Sequence, residues 1–461
     1  MRPSVSLDER YLAFNARTGA VFAAYPQLEP LRQVVFKHFL VRRRADDWWQ
    51  RVKHWLRPLH RRAHTRVPGR AEVLLWLEGR REVIVEALLP VHRELRRRGG
   101  RILLVSFGGP SGLPTSHRFA YPARAIPPAW AREAWEALCE CEDGLRDGAL
   151  RRSFYRATAM LAGLYDELHT LVEVTAPATV LCASTQAIGG AALMVTARRQ
   201  GARTLVLQHG LMQPVYAPLS ADLMLTWGPS SNDALVTFGV SRARLRVVGS
   251  PRHDALERPE HSAARAALLQ ALGLPARPTF VFFSNGNDLE RNGDAPAHCA
   301  RWLEAVATAY VNELNVVVRL HPNEDGALYR RARHLTVTRG AVRLATTLAG
   351  CDCIGSLCST AMYDGLLYGK PVWHFHQDEW PPLADNWQRG LAHRVESERQ
   401  LQDLVERSLS GDPPGRVEER LVASVFANRG RAARTVADVV SVSDRGEHLP
   451  TSPLNAPATP C

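Results

Sequence analysis

Three stretches of this 461-residue chain place polar residues where apolar runs end. In NVVVRLHPNED the run finishes in Arg319, His321 and Pro322, and the proline removes a backbone donor and fixes the chain, so the histidine is held in a rigid loop. An imidazole there can donate to a phosphate oxygen, and Arg319 adds positive charge if it faces the same way; the plain alternative is a turn. In GSLCSTAMYDGLLYGKP, Ser356, Ser359 and Thr360 precede a helix starting near Ala361, and hydroxyls with backbone N–H groups at a helix start form an anion site. Asp364, one turn in, can accept hydrogen bonds from a vicinal diol such as a ribose; the alternative is an ordinary N-cap with a surface carboxylate. In LVLQHGLMQP, His209 closes a run ahead of Gly210, either as chemistry or as a ring that has found a partner.

The elements that must position these residues are short apolar runs alternating with helical stretches. AEVLLWLEG, RILLVSF, ATVLCAS, RTLVLQHG, ADLMLTWG and LRVVG are expected strands, near residues 71, 101, 178, 203, 221 and 244. From about residue 278, PTFVFFSNGND, NVVVRLHPNED, GCDCIGSLCST and KPVWHF supply four more. Continuous apolar runs separated by helices imply parallel sheets covered on both faces. The expectation is an α/β protein of two doubly wound, Rossmann-like domains facing a cleft, with ligands beyond the strands' carboxyl ends. The expected segments are a basic, tryptophan-rich leader (1–70), a first domain (71–250), a second domain (251–440) and a disordered tail (441–461).

Composition bounds the rest. An apolar fraction of 46% with 23% charged is globular, and no run of about 18 apolar residues offers a membrane span. The start, MRPSVSLDER, lacks the apolar region of a secretory signal, so the expected location is cytoplasmic. The eight cysteines are read as reduced, buried thiols, because Cys351, Cys353 and Cys358 have no companion pair at zinc spacing. The net charge of +12 is concentrated: residues 37–70 hold eleven Lys or Arg against only Asp46 and Asp47. With Trp48, Trp49, Trp55 and Leu56 interleaved, this block suits an anionic membrane surface at the inner membrane face, or else a solvated helix whose tryptophans pack inward. No nucleic-acid module accompanies it.

The order QHG, GSPRHDAL, RLHP, SLCST with an acidic residue, then GKP, resembles bacterial capsule and surface-polysaccharide biosynthesis glycosyltransferases of the GT-B superfamily. It is similar to the CDP-glycerol glycerophosphotransferases and, more distantly, to the bacterial sialyltransferases and Kdo transferases. The resemblance spans roughly residues 178–376. It implies donor-phosphate roles for His321, Pro322, Ser356, Ser359 and Thr360, and a ribose contact for Asp364, which stands where a glutamate is usual. It also implies that Arg252, in GSPRHD, can approach the donor phosphate, and that His209 is the general base. The implied activity is an inverting transfer of a sugar or phosphopolyol from a nucleotide-activated donor, with a cytidine nucleotide favoured over UDP- or GDP-sugars. The acceptor is a growing surface glycan, lipid-linked or free.

Such a transfer needs a base for the acceptor hydroxyl, and histidine titrates near neutral pH. The charge on the leaving nucleotide can be met by Arg319, Arg252, His321 and the helix start, with neither metal nor cofactor required. The related sialyltransferases use an acidic Asp-Gly motif as base, and Glu142-Asp143-Gly144 offers those letters at the end of a helical stretch. Two further readings compete. A nucleotide-sugar 2-epimerase is matched by VVGSPRHDAL but lacks an HRxEN-like segment, and has SLCST where SGG with paired glutamates is expected. A catalytically silent binding protein on the same scaffold is the other.

Overall fold

The computed structural model describes residues 6–42, 69–78, 82–107, 117–119, 126–285, 293–322, 324–380, 385–414 and 417–441. Most of the basic tryptophan block (43–68) and, apart from Ser441, which ends a helix, the expected disordered tail (441–461) lie outside the described residues.

The described residues fall into two compact units. The first comprises residues 11–255 and 426–441, the second residues 6–10 and 256–425. The first is built on strands β1 (Val73–Glu78), β2 (Ile102–Phe107), β3 (His117–Phe119), β4 (Thr179–Cys182), β5 (Arg203–Leu207), β6 (Leu223–Thr226) and β7 (Leu245–Val247). They form one parallel sheet in the order β3-β2-β1-β4-β5-β6-β7. The helices used below are α1 (Leu7–Ala24), α2 (Glu82–Arg97), α3 (Trp130–Cys141), α4 (Gly148–Thr175) and α5 (Ile188–Arg199).

The second unit repeats the plan with β8 (Thr279–Phe283), β9 (Asn315–Arg319), β10 (Thr336–Thr338), β11 (Cys353–Ser356), β12 (Val372–Phe375) and β13 (His393–Val395). Its parallel order is β10-β9-β8-β11-β12-β13. The relevant helices are α6 (Ala295–Ala309), α7 (Ala361–Leu367), α8 (Glu398–Leu409) and, returning to the first unit, α9 (Ala432–Ser441). Both halves are thus doubly wound parallel sheets, as the apolar runs imply. The three strands without a sequence counterpart, β3, β10 and β13, are three residues long and lie at or beside sheet edges, too short to carry a periodicity.

The strands read as continuous apolar runs because both faces are covered. Val73, Leu75 and Leu77 of β1 go to one face, where Leu88 and Val91 of α2 and Val436 and Val440 of α9 cover them. In the second unit Phe280, Phe282, Val316, Val318 and Phe375 pack under Trp302 and Leu303 of α6 and Leu401 and Leu404 of α8.

Two segments differ from the expected division. Residues 11–42 are not merely part of a basic leader: Tyr11, Phe14, Phe22, Phe36 and Phe39 are buried. Arg32 is only 5% exposed, stacked 3.9 Å from the Phe22 ring centroid and paired with Glu29 at 2.8 Å. And the chain from Phe426 rejoins the first unit, seated by residues of GSPRHD itself. Gly249 has φ +92, and a Cβ there would reach 2.8 Å from the Ala432 Cβ. His253 lies 5.9 Å from the Trp227 ring and 5.0 Å from the Phe426 ring. Asp254 accepts from the Ala432 and Ala433 N–H groups at 2.8 and 2.6 Å, capping α9.

Candidate functional site

The QHG motif begins with an anchoring residue. Buried Gln208 accepts from the Trp227 N–H through Oε1 at 2.7 Å and donates through Nε2 to the Gly210 carbonyl at 2.9 Å. Its own carbonyl accepts from Trp227 Nε1 at 2.9 Å. With the ends of β5 and β6 tied in this way, His209 sits at the carboxyl end of β5, 7% exposed, with its ring 6.2 Å from that of Tyr216. The loop carrying Tyr216 is fastened by the N-terminal segment: Asn15 donates to the Ala217 carbonyl at 2.9 Å and Gln33 to the Val215 carbonyl at 3.1 Å. Two residues of what reads as a leader, Asn15 and Gln33, therefore hold the loop that sets Tyr216 beside His209.

Arg252 is in the first unit too, 7% exposed at its side chain, with Nε 3.9 Å from Glu86 on α2. Glu142-Asp143-Gly144 follows α3 at the surface; Glu142 pairs with Arg17 at 2.6 Å, and the Asp143 side chain is 91% exposed. The acidic residue that does end a strand is Glu78, the last of β1. It is 4% exposed and accepts from the Gly189 and Gly190 N–H groups at 3.1 and 2.5 Å and from Trp76 Nε1 at 3.1 Å. Burial outweighs these donors and pushes its pKa up to about 7. Sequence reasoning passed over it, although an acid closing an otherwise apolar strand was visible in LLWLEG.

In the second unit the remaining candidates gather at the carboxyl ends of β8, β9 and β11. Ser356 is fully buried, donating to the Phe283 carbonyl at 2.7 Å and accepting from the Ser359 N–H at 3.1 Å. It thus pins the loop after β11 to the end of β8. Ser359 Oγ accepts from the Ala361 N–H at 3.2 Å, and Ser359 and Thr360 are part-exposed. Asp364 is buried in α7, 4% exposed, which removes it from the surface position that an ordinary N-cap reading gives it. Pro322 follows His321 in a turn, and the His321 N–H donates to Glu324 at 3.3 Å.

Glu324 is a second residue the sequence did not single out. Buried to 5% exposure, it also accepts from Ser284 Oγ at 2.7 Å, and so joins the loops after β8 and β9. Arg319 donates to the Val342 carbonyl at 2.6 Å and to Thr347 Oγ1 at 3.1 Å, which orders the segment after β10. Strand register sets Thr338, Arg319, Phe283, Ser356, His374 and Arg394 in one row across this end of the sheet. Burial holds the His374 pKa down at about 4, so its imidazole is neutral at pH 7.

Among the described residues no group of three or more His, Cys, Asp or Glu could hold a metal ion. Cys182, Cys299, Cys351, Cys353 and Cys358 are buried free thiols; burial pushes the Cys182 and Cys351 pKa values up to about 12. No described helix is long and apolar enough to cross a membrane.

No family model and no curated protein matches the sequence. Solved structures match over most of the length. The UDP-GlcNAc 2-epimerase from Neisseria meningitidis bound to UDP-GlcNAc aligns with a TM-score of 0.54 at 14% identity, covering 80% of this chain and 99% of that one. A putative UDP-N-acetylglucosamine 2-epimerase from Listeria monocytogenes gives 0.53 at 12%, over 82% and 99% of the two chains. A glycosyltransferase from Rickettsia africae ESF-5 gives 0.53 at 10%, over 81% and 98%. At these identities the likeness is one of fold, and with the two sheets above it defines a two-domain α/β protein of GT-B-like architecture.

Proposed function

We propose that this chain is an inverting, metal-independent transferase that moves a sugar or phosphopolyol from a nucleotide-activated donor, a cytidine nucleotide, to a growing surface glycan. The observation that carries the reading is the carboxyl end of the second sheet. Its strand order reverses between β8 and β11, and buried Ser356 there holds a hydroxyl-rich loop in a row that includes Arg319 and Arg394. In open α/β sheets such reversal points take the ligand. The donor phosphates bind at Ser359, Thr360 and His321, while Ser356, Arg319 and Pro322 hold the loops in place and Asp364 contacts the ribose. Arg252 belongs to the first unit, 3.9 Å from Glu86, and keeps only the approach to the donor phosphate that the resemblance implies.

In the transfer of a sugar the acceptor hydroxyl gives its proton to His209 while its oxygen bonds to the donor carbon; the bond from that carbon to the phosphate oxygen breaks, and its electron pair leaves with the nucleotide. In the transfer of a phosphopolyol the same oxygen bonds to the polyol-bearing phosphorus, and the phosphoanhydride bond breaks with its electron pair leaving on the nucleoside monophosphate. Replacing His209 by Ala removes acceptor-dependent nucleotide release by about 10²-fold or more and leaves nucleotide affinity unchanged, as base removal should. Unaltered turnover in that variant excludes His209 as the base and returns it to a ring packed against Tyr216. The basic tryptophan block places the chain on an anionic membrane surface, close to a lipid-linked acceptor; replacing Arg42, Arg43, Arg44 and Trp48 together weakens binding to anionic liposomes if so.

A second reading, nucleotide-sugar 2-epimerase, draws support from the fold likeness to two such enzymes. Incubation with a nucleotide sugar and no acceptor separates the two: an epimerised sugar favours this reading, and nucleotide release only on adding acceptor favours transfer. Nucleotide binding with neither product leaves the silent binding protein.

A further inference from the structure

The first unit has the same reversal point as the second, between β1 and β4, and it is filled from within. Helix α5 starts there, and its N-cap, Ala187, makes no side-chain cap. The orphaned N–H groups of its first turn, at Gly189 and Gly190, instead donate to the two oxygens of Glu78 at 3.1 and 2.5 Å. Two consecutive helix amides aimed at two oxygens is the arrangement by which helix starts take phosphate. The glycines are what admit the carboxylate: a Cβ at Gly189 would come within 2.9 Å of both Glu78 oxygens, and one at Gly190 would run into the Ser184 carbonyl.

We infer that Glu78 is a specificity-determining residue that closes the reversal point of the first unit to phosphate. The nucleotide is thereby confined to the second unit, and the first is left to an uncharged, hydroxyl-bearing acceptor. The inference rests on the reading of the second unit as the donor site. Ionised or protonated, the side chain fills the space and uses both amides; ionised, it also repels a phosphate. A role for Glu78 as general base does not fit, because it is 4% exposed and three donors already hold it. In the second unit the residue following β8 is Ser284, and the Ala361 N–H at the start of α7 goes to the Ser359 hydroxyl; the buried carboxylate there, Glu324, is held instead by Ser284 Oγ and the His321 N–H.

The test is an amide spectrum of protein labelled with ¹⁵N-glycine, titrated separately with inorganic phosphate and with CDP. Gly189 and Gly190 report on the first unit, Gly355 and Gly365 on the second. In the wild-type chain CDP shifts Gly355 and Gly365, and neither ligand moves Gly189 or Gly190. In Glu78→Ala, phosphate shifts Gly189 and Gly190 as well; Glu78→Ser serves if the alanine variant does not fold. Wild-type Gly189 and Gly190 resonances that respond to either ligand overturn the inference, as do variants in which they stay still. If Gly355 and Gly365 are silent to CDP while phosphate moves Gly189 and Gly190 only in the variants, the donor-site reading fails and the role of Glu78 in excluding phosphate stands.

Discussion

The two sheets share a strand order and differ in what they put at the place where that order reverses. In the first unit a buried carboxylate occupies the start of a twelve-residue helix, held by Gly189, Gly190 and Trp76. In the second, Ser356 joins β11 to β8 through an uncharged hydroxyl, and Arg319 lies in the same row. One architecture can thus have its reversal point filled by a carboxylate on the helix start in one half and held by an uncharged hydroxyl in the other. The lesson is that fold likeness locates candidate sites, while the charge at the strand end decides which of them can take an anion.

The comparison breaks most sharply at the glycines. A methyl at Gly190 meets backbone, the Ser184 carbonyl, whereas a methyl at Gly365 in α7 meets the tip of the Ile354 side chain, which can turn aside. Gly190→Ala is therefore expected to destabilise the protein by about 4 kcal/mol and Gly365→Ala by about 1 kcal/mol, read as denaturant midpoints. Equal losses would mean that the backbone around Ser184 gives way as readily as the Ile354 side chain.

Next in size is a pH effect belonging to the first unit. Folding raises the Glu78 pKa from 4.5 to about 7, so the folded chain holds this proton more tightly than the unfolded one. The stability it contributes is fully present below pH 4.5 and is lost as pH rises through about 7, a loss of roughly 3 kcal/mol. Unfolding measured from pH 4.5 to 8 should show this decline in the wild type and a flatter profile in Glu78→Gln. An unchanged slope in the variant would assign the titration elsewhere. A smaller effect than the pH dependence belongs to the second unit, where Ser356→Ala leaves the buried Phe283 carbonyl without its hydroxyl donor and costs about 2 kcal/mol. By loosening the loop it should also weaken nucleotide binding, which calorimetry would detect; full affinity would place the phosphates away from this loop.

The sheets were legible because continuous apolar runs between helices have few other solutions. RLHP and SLCST were legible as strand-end clusters, and they end β9 and β11, the two strands that flank β8 in the second unit. What escaped was long-range. GSPRHD reads as chemistry, yet Gly249, His253 and Asp254 seat a helix that begins at Ala432, a contact with no local signature. The aromatic residues of 11–42 that form a core are overshadowed in the sequence by the charge of the block that follows. Glu78 and Glu324 were missed because a lone acid beside an apolar run looks like a surface residue until the fold supplies its donors.

The most direct test of the account is hydrogen–deuterium exchange with and without CDP. Protection confined to the loops after β8, β9 and β11, with the segment from Ser184 to Ala191 unchanged, is the predicted result. Protection of Ser184 to Ala191 with none near Ser356 would contradict it, placing the nucleotide in the half that Glu78 is held to close.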